Sequence, residues 1–196
     1  MCTTLPTNSG EVAGFYYPCF KCDDASGFIW DRQGVLTPFN AAGATSINAR
    51  GDTTGFTGPY SLRGTGFIRD IHGNVTWFAV PDSCYAQGAA VSINNNGDVT
   101  GYYGTCSGYG FGGFVRWSDG GFTVFDGMPI GITEKGDVVG SNYPDAGGAL
   151  HNFVREKTGK ITLFDGGTPV AINNRDDVTG YFADATGTHG FVRAAR

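Results

Sequence analysis

Ala171-Ile172-Asn173-Asn174-Arg175-Asp176-Asp177-Val178-Thr179-Gly180-Tyr181-Phe182 is one of five versions of a single phrase. The nearest version is Ser92-Ile93-Asn94-Asn95-Asn96-Gly97-Asp98-Val99-Thr100-Gly101-Tyr102-Tyr103. Ser46 to Phe56, Gly131 to Gly140 and Ser9 to Tyr16 follow with more substitutions. The glycine two to three residues after the acid falls at 14, 55, 101, 140 and 180, at intervals of 41, 46, 39 and 40. Self-similarity at a period of about 40 residues marks a repeat architecture.

A second element keeps the same beat. Gly27-Phe28-Ile29-Trp30, Gly66-Phe67-Ile68-Arg69, Gly113-Phe114-Val115-Arg116, Asn152-Phe153-Val154-Arg155 and Gly190-Phe191-Val192-Arg193 each follow one copy of the phrase. Eleven residues after the first four of these phenylalanines stand Phe39, Phe78, Phe125 and Phe164, each preceded at two positions by Thr37, Thr76, Thr123 or Thr162. Short β-branched and aromatic runs bounded by Gly, Asn and Asp read as strands, four to a unit. In the third unit they fall at about 90–94, 98–103, 111–117 and 121–125. Asn95-Asn96-Gly97 supplies the positive φ of a tight hairpin between the first two. Turns such as His72-Gly73-Asn74 and Ser118-Asp119-Gly120 join the last two.

The chain has 196 residues, 33 glycines, 14% aromatic and 16% charged residues, and no sustained apolar period of 3.6. Together with the repeat this predicts an all-β fold in one domain, 1–196. The expected architecture is a five-bladed β-propeller of four-stranded antiparallel meanders, which buries both faces of each sheet against its neighbours. The blades run approximately 1–40, 41–80, 81–126, 127–165 and 166–196, and the last is incomplete because no fourth strand follows Arg193. A solenoid of the same sheets is the structural alternative, and it would need polar capping repeats.

A net charge of −5 with no Lys/Arg run offers no electrostatic footprint for a phosphate backbone, so no nucleic acid is expected as partner. No apolar run approaches a membrane span, and Met1-Cys2-Thr3-Thr4 lacks the basic start and apolar core of a signal peptide. The expected state is a monomer that neither spans nor binds a membrane.

The residues resemble the HAF extracellular repeats, named for a His-Ala-Phe tripeptide. The corresponding positions read His151-Asn152-Phe153 and His189-Gly190-Phe191, with Ala171-Ile172-Asn173 alongside. The first three units carry Ser26, Thr65 and Gly112 in place of the histidine, which argues against a metal ring. The resemblance covers nearly the whole chain and implies a bacterial, secreted, propeller-like repeat, extracellular or periplasmic, with no stated reaction.

The meander places its two hairpin turns at one end of each sheet and the longer, divergent loops at the other. Variable loops on a regular scaffold are where function concentrates. A lectin-like site for a small molecule or carbohydrate is expected at that loop end, with Tyr17, Tyr60, Tyr85, Tyr103, Tyr109, Asn142, Tyr143 and Arg63 as ligand-binding candidates. The alternative is a metal-independent enzyme with one pocket at the central channel. His151 or His189, each preceded by an acid at Asp145 or Asp184, would then act as catalytic base. A third reading is a structural or protein-interaction propeller.

No cofactor and no metal are expected: Cys19-Phe20-Lys21-Cys22 lacks a second pair for zinc. Cys19 with Cys22 and Cys84 with Cys106 are either disulfides in an oxidising compartment or thiols in a reducing one. Glu11, Asp52, Asp98, Asp137 and Asp177 recur at one position, where an acid just after a tight turn accepts backbone N–H groups.

Overall fold

The computed structural model describes residues 2–3, 10–17, 26–39, 43–56, 65–81, 83–106 and 111–195, with backbone alone at 2–3, 65 and 84–88. Among these residues there is no helix, and the strands form five antiparallel sheets in chain order. The first sheet holds β1 (Cys2–Thr3), β2 (Val12–Tyr16), β3 (Ser26–Trp30) and β4 (Leu36–Phe39). The second holds β5 (Gly43–Ile47), β6 (Thr53–Phe56), β7 (Thr65–Arg69) and β8 (Val75–Ala79). The third comprises β9 (Ser83–Ile93), β10 (Val99–Thr105), β11 (Phe111–Arg116) and β12 (Phe122–Asp126). The fourth comprises β13 (Met128–Ile132), β14 (Val138–Pro144), β15 (Leu150–Arg155) and β16 (Ile161–Phe164). The fifth has three strands, β17 (Thr168–Ile172), β18 (Val178–Asp184) and β19 (Gly187–Arg193).

The repeated phrase is the hairpin joining the first two strands of a sheet. Its asparagine is the organiser: Asn94 Oδ1 accepts the N–H groups of Asn96 and Asp98, and Asn48 and Asn173 do the same in their own turns. The turn's fourth residue has positive φ, which glycine meets without strain at Gly51, Gly97 and Gly136. The recurring acid ties this turn to the segment that follows the third strand of its sheet. Asp98 Oδ1 accepts the N–H of Ser118, Asp137 Oδ1 that of Lys157 and Asp177 Oδ1 that of Ala195. These acids hold backbone, as their place after the turn implied.

The recurring glycine has a different cause. Gly55, Gly140 and Gly180 lie opposite irregularities in the neighbouring strand's register. A Cβ added there would fall inside van der Waals contact of the facing carbonyl (Gly43, Met128 or Thr168) and of a phenylalanine ring (Phe67, Phe153 or Phe191). Phe67 and Phe153, with Phe114 against Gly101 in the third sheet, are fully buried at the centres of the packing, while Phe191 is partly buried.

Consecutive sheets stack face to face, β2 on β5, β5 to β7 on β9, β9 to β11 on β13, and β13 and β14 on β17. Each buried phenylalanine contributes about 2–3 kcal/mol. A hydrogen bond nets about 1 kcal/mol, so the rings hold the stack together and polar groups set its register. That polar register is a ladder across the gaps. Asn48 Nδ2 donates to Asn94 O at 3.0 Å, and Asn94 Nδ2 to Thr133 O at 2.9 Å. Beside it, Ala49 N donates to Asn95 Oδ1, Asn95 N to Glu134 Oε2 and Glu134 N to Asn174 Oδ1. Arginines also reach backwards: Arg69, Arg116, Arg155 and Arg193 each sit over a ring of the preceding sheet, Phe39, Phe78, Phe125 and Phe164, at 4.7 to 5.3 Å.

The stack has two unlike ends. Val115, Val154 and Val192 occupy equivalent positions, yet the first two are 0% and 7% exposed while Val192 is 73% exposed. At the other end Trp30 takes the place of the arginines and is half exposed. No strand of the fifth sheet makes an extended contact with one of the first among the described residues.

Candidate functional site

The loop end carries two histidine clusters. His151 lies on β15 where the bulged pairing of β14 and β15 resumes, opposite Tyr143. Its Nδ1 is 2.8 Å from Asp165 Oδ1 and its Nε2 3.2 Å from Asp145 Oδ2. The hydrogen bond to Asp165, then that to Asp145, raises the imidazole above its ordinary pKa, and the bond from His151 lowers that of Asp145. Asp145 is itself fixed by the N–H groups of Gly147 and Ala149 on its other oxygen. Only an imidazolium offers a donor to both carboxylates, so this cluster is a clasp between the β14–β15 turn and the turn after β16. A base needs a free lone pair, and His151 presents none in this arrangement.

His189 on β19 stands opposite Phe182 on β18, their rings stacked with centroids 5.2 Å apart at 27°. Its Nε2 lies 2.9 Å from Thr186 Oγ1 and 3.2 Å from Asp184 Oδ1. Thr186 donates both its N–H and its hydroxyl to that same carboxylate oxygen, and these bonds, ahead of the one from His189, lower the Asp184 pKa. A nucleophile–base–acid relay uses opposite nitrogens of the imidazole. Here hydroxyl and carboxylate share one nitrogen, so the group closes a tight turn.

Sequence separations of six and five leave open whether Asp145 reaches His151 and Asp184 reaches His189, and the structure brings both pairs within hydrogen-bond reach. It does not join the two clusters to each other by any hydrogen bond among the described residues. Asp165 and Thr186 were not singled out in the sequence. Asp165 is 14 residues from its histidine and becomes visible only once β15 and β16 are paired.

The remaining candidates separate. Tyr103 is corrected: it is 7% exposed and belongs to the core of the third sheet, lying over Gly112, where a Cβ would strike its ring. Tyr143 is half-buried and packs on Phe153, ring centroids 5.5 Å apart. Asn142 is exposed, adopts φ 58°, and donates from Nδ2 to Met128 Sδ at 3.2 Å. Tyr17 is half exposed and meets Phe15 edge-on. Tyr60, Arg63, Tyr109, Cys19 and Cys22 lie outside the described residues, as do the side chains of Tyr85 and Cys84. Cys106 is disulfide-bonded. In the backbone register Thr105 pairs with Ser83, which brings the end of β10 beside the Cys84 segment of β9.

A further concavity lies away from these loops. A cavity of about 700 Å3 opens at the opposite, turn end between the fourth and fifth sheets, against Thr162 and Phe164 of β16 and Arg193 of β19. Lys135, Lys157 and Asp176 form its polar rim. Lys135 bridges to Asp176 across the gap, and Lys157 Nζ lies 4.7 Å from the Trp117 ring centroid.

No group of three or more His, Cys, Asp or Glu residues among those described could hold a metal ion, and no helix is long and apolar enough to cross a membrane. No family model matches the chain, and no curated protein matches it.

Proposed function

We propose that this protein is a non-catalytic binding module, built as a five-bladed propeller, that takes a small hydroxylated ligand of the carbohydrate class at its loop end. The carrying observation is the exposed Phe182–His189 stack with the Asp184 carboxylate beside it, an apolar ring face next to a fixed acceptor. Sugars present C–H faces to aromatic rings and hydroxyls to carboxylates, so this pairing fits their chemistry, and a few placed polar groups fix orientation. The enzyme reading loses support because His151 is held between two carboxylates and His189 shares one nitrogen between its neighbours.

The HAF-like repeat, the bacterial exported setting and a monomeric state belong to the same proposal. The propeller ring is supported by five sister sheets in chain order and by the ladder running through successive turns. Spin labels at Glu11 and Arg175 distinguish ring from open row: a ring brings these equivalent turns to the spacing of adjacent sheets, an open row separates them by the length of the stack.

A glycan array followed by calorimetry tests the ligand. The expected result is saturable binding that Phe182→Ala and Asp184→Asn each weaken at least tenfold. Silence on the array, together with unchanged Tyr and Trp fluorescence across simple sugars, removes the reading.

A further inference from the structure

Two ring pairs at the loop end face the fourth sheet, one from each side. Phe182 and His189 share a face of the fifth sheet with Phe191, which packs against Val139 and Val154 of the fourth. Phe111, Gly113 and Val115 alternate along the unbroken β11 and so share a face of the third sheet. On that face Val115 packs with Ile132, Val138 and Phe153 of the fourth sheet. Tyr102 pairs with Gly113 there, and its ring meets Phe111 edge-on, centroids 5.7 Å apart. Phe111 is 41% exposed, which leaves its ring accessible.

The wall opposite Phe111 carries an acceptor. His151 stands two residues before Phe153 on β15, on the face turned to the third sheet, and Tyr143 across from it packs on Phe153. His151 Nδ1 holds Asp165 through Oδ1, and the Asp165 side chain is 75% exposed. The second Asp165 oxygen makes no hydrogen bond among the described residues. One chemistry therefore occurs twice: an accessible ring beside a carboxylate that a histidine contacts. In the fifth sheet the pair is Asp184 with His189, and across the gap from Phe111 it is Asp165 with His151.

Stacked sheets lie about 10 Å apart, which separates the third from the fifth by about 20 Å. A single sugar does not span that distance, and a short chain of sugars does. Between the two ring pairs the turn of the fourth sheet, Asp145-Ala146-Gly147-Gly148-Ala149, is exposed and built mostly of small residues, over which a chain can lie.

We propose that the ligand is an oligosaccharide held at two subsites across the loop end of the fourth sheet, which rests on the carbohydrate-binding reading above. The first subsite is Phe182 with Asp184. The second is Phe111 and Tyr102 with Asp165, in the gap between the third and fourth sheets. Each ring takes a C–H face of a sugar, and each carboxylate takes a hydroxyl. Joining two weak contacts in one ligand makes the second contact intramolecular, so affinity grows with ligand length until both subsites are filled.

Calorimetry of the full chain with glucose, galactose and N-acetylglucosamine, and with their homo-oligomers up to six units long, tests this. The expected result is that in at least one series the affinity rises at least tenfold with length and then levels off. Phe111→Ala and Asp165→Asn each bring the longest oligomer down to the affinity of the single sugar. Phe111→Tyr, which keeps the ring, preserves the gain, and Phe182→Ala weakens every length. Asp165→Asn is isosteric and carries the test should Phe111→Ala perturb folding, which far-ultraviolet circular dichroism reads. Affinity indifferent to length, or a gain that survives both Phe111→Ala and Asp165→Asn, overturns the second subsite and leaves the single-site reading standing. Binding that Phe111→Ala removes and Phe182→Ala leaves unchanged overturns the first subsite, and the two-subsite ligand with it. No binding at any length overturns both readings.

Discussion

Asn94 donates from Nδ2 to the carbonyl of Thr133, 2.9 Å away in the next sheet, while its Oδ1 holds the turn of its own. One side chain thus fixes both a hairpin and the register between two sheets. Asn173 makes the same turn bonds in the fifth sheet but is exposed. Asn94→Ala leaves the buried Thr133 carbonyl and the Asp98 N–H without this partner, at a cost of about 2–3 kcal/mol. Asn173→Ala loses the turn bonds alone and costs about 1 kcal/mol. Urea denaturation of both variants checks the difference, and equal costs would show that the cross-gap bond adds nothing.

Asp176 offers a stabilising change. It adopts φ 66° at the turn position that Gly51, Gly97 and Gly136 occupy in the sister sheets, and its Oδ1 is buried without a hydrogen-bond partner. Its other oxygen bridges to Lys135, whose ammonium it holds above the ordinary pKa. Asp176→Gly removes the left-handed backbone strain, about 1 kcal/mol, and also that bridge. Salt screens an exposed ion pair but not backbone strain. The variant is therefore expected to gain about 2–4 °C in Tm over the parent in 0.5 M NaCl, with a smaller gain in low salt. A Tm below the parent at both salt concentrations contradicts this.

The His151 clasp gives a pH dependence with a worked sign. The imidazole, raised above its ordinary value of 6.5, stabilises the fold fully below that unfolded value, and the contribution is lost as pH rises through the folded one. Asp145 acts oppositely. Lowered from 3.8, it contributes above that value and is lost as pH falls through its folded pKa. The clasp is therefore complete between these limits and opens on both sides. Nuclear magnetic resonance titration of His151 is expected to give a midpoint above 6.5 that Asp165→Asn moves down further than Asp145→Asn. A midpoint at or below 6.5 in the parent would falsify the double-carboxylate geometry.

How far the sequence reaches is seen in single residues. The five sheets were legible because Asn, Asp and Gly repeat at turn positions whose chemistry is local, as Asn94 and Gly97 show. Tyr103 was not legible. Tyr102 and Tyr103 point to opposite faces of β10, and only the packing of the sheets decides that the second lies over Gly112 in the core. The histidine clasp was half legible, since Asp145 is six residues away while Asp165 depends on strand pairing. The cavity at the turn end lay beyond the sequence. That Phe164 of β16 and Arg193 of β19 line one cavity follows from how the fourth sheet stacks on the fifth.

Cys106 directly follows β10 at the loop end of the third sheet and is disulfide-bonded. Such a link stabilises mainly by restricting the unfolded chain, typically by about 2–4 kcal/mol. Reduction is therefore expected to lower the urea midpoint without changing the far-ultraviolet spectrum under native conditions. Peptide mapping without reductant is expected to find Cys106 linked to Cys84, the cysteine that the register of Ser83 with Thr105 carries alongside. Cys84→Ser should match the reduced parent in stability and respond no further to reductant. A Cys106 found linked elsewhere, or a midpoint indifferent to reductant, would remove the role of this bond in tying the third sheet's loop end.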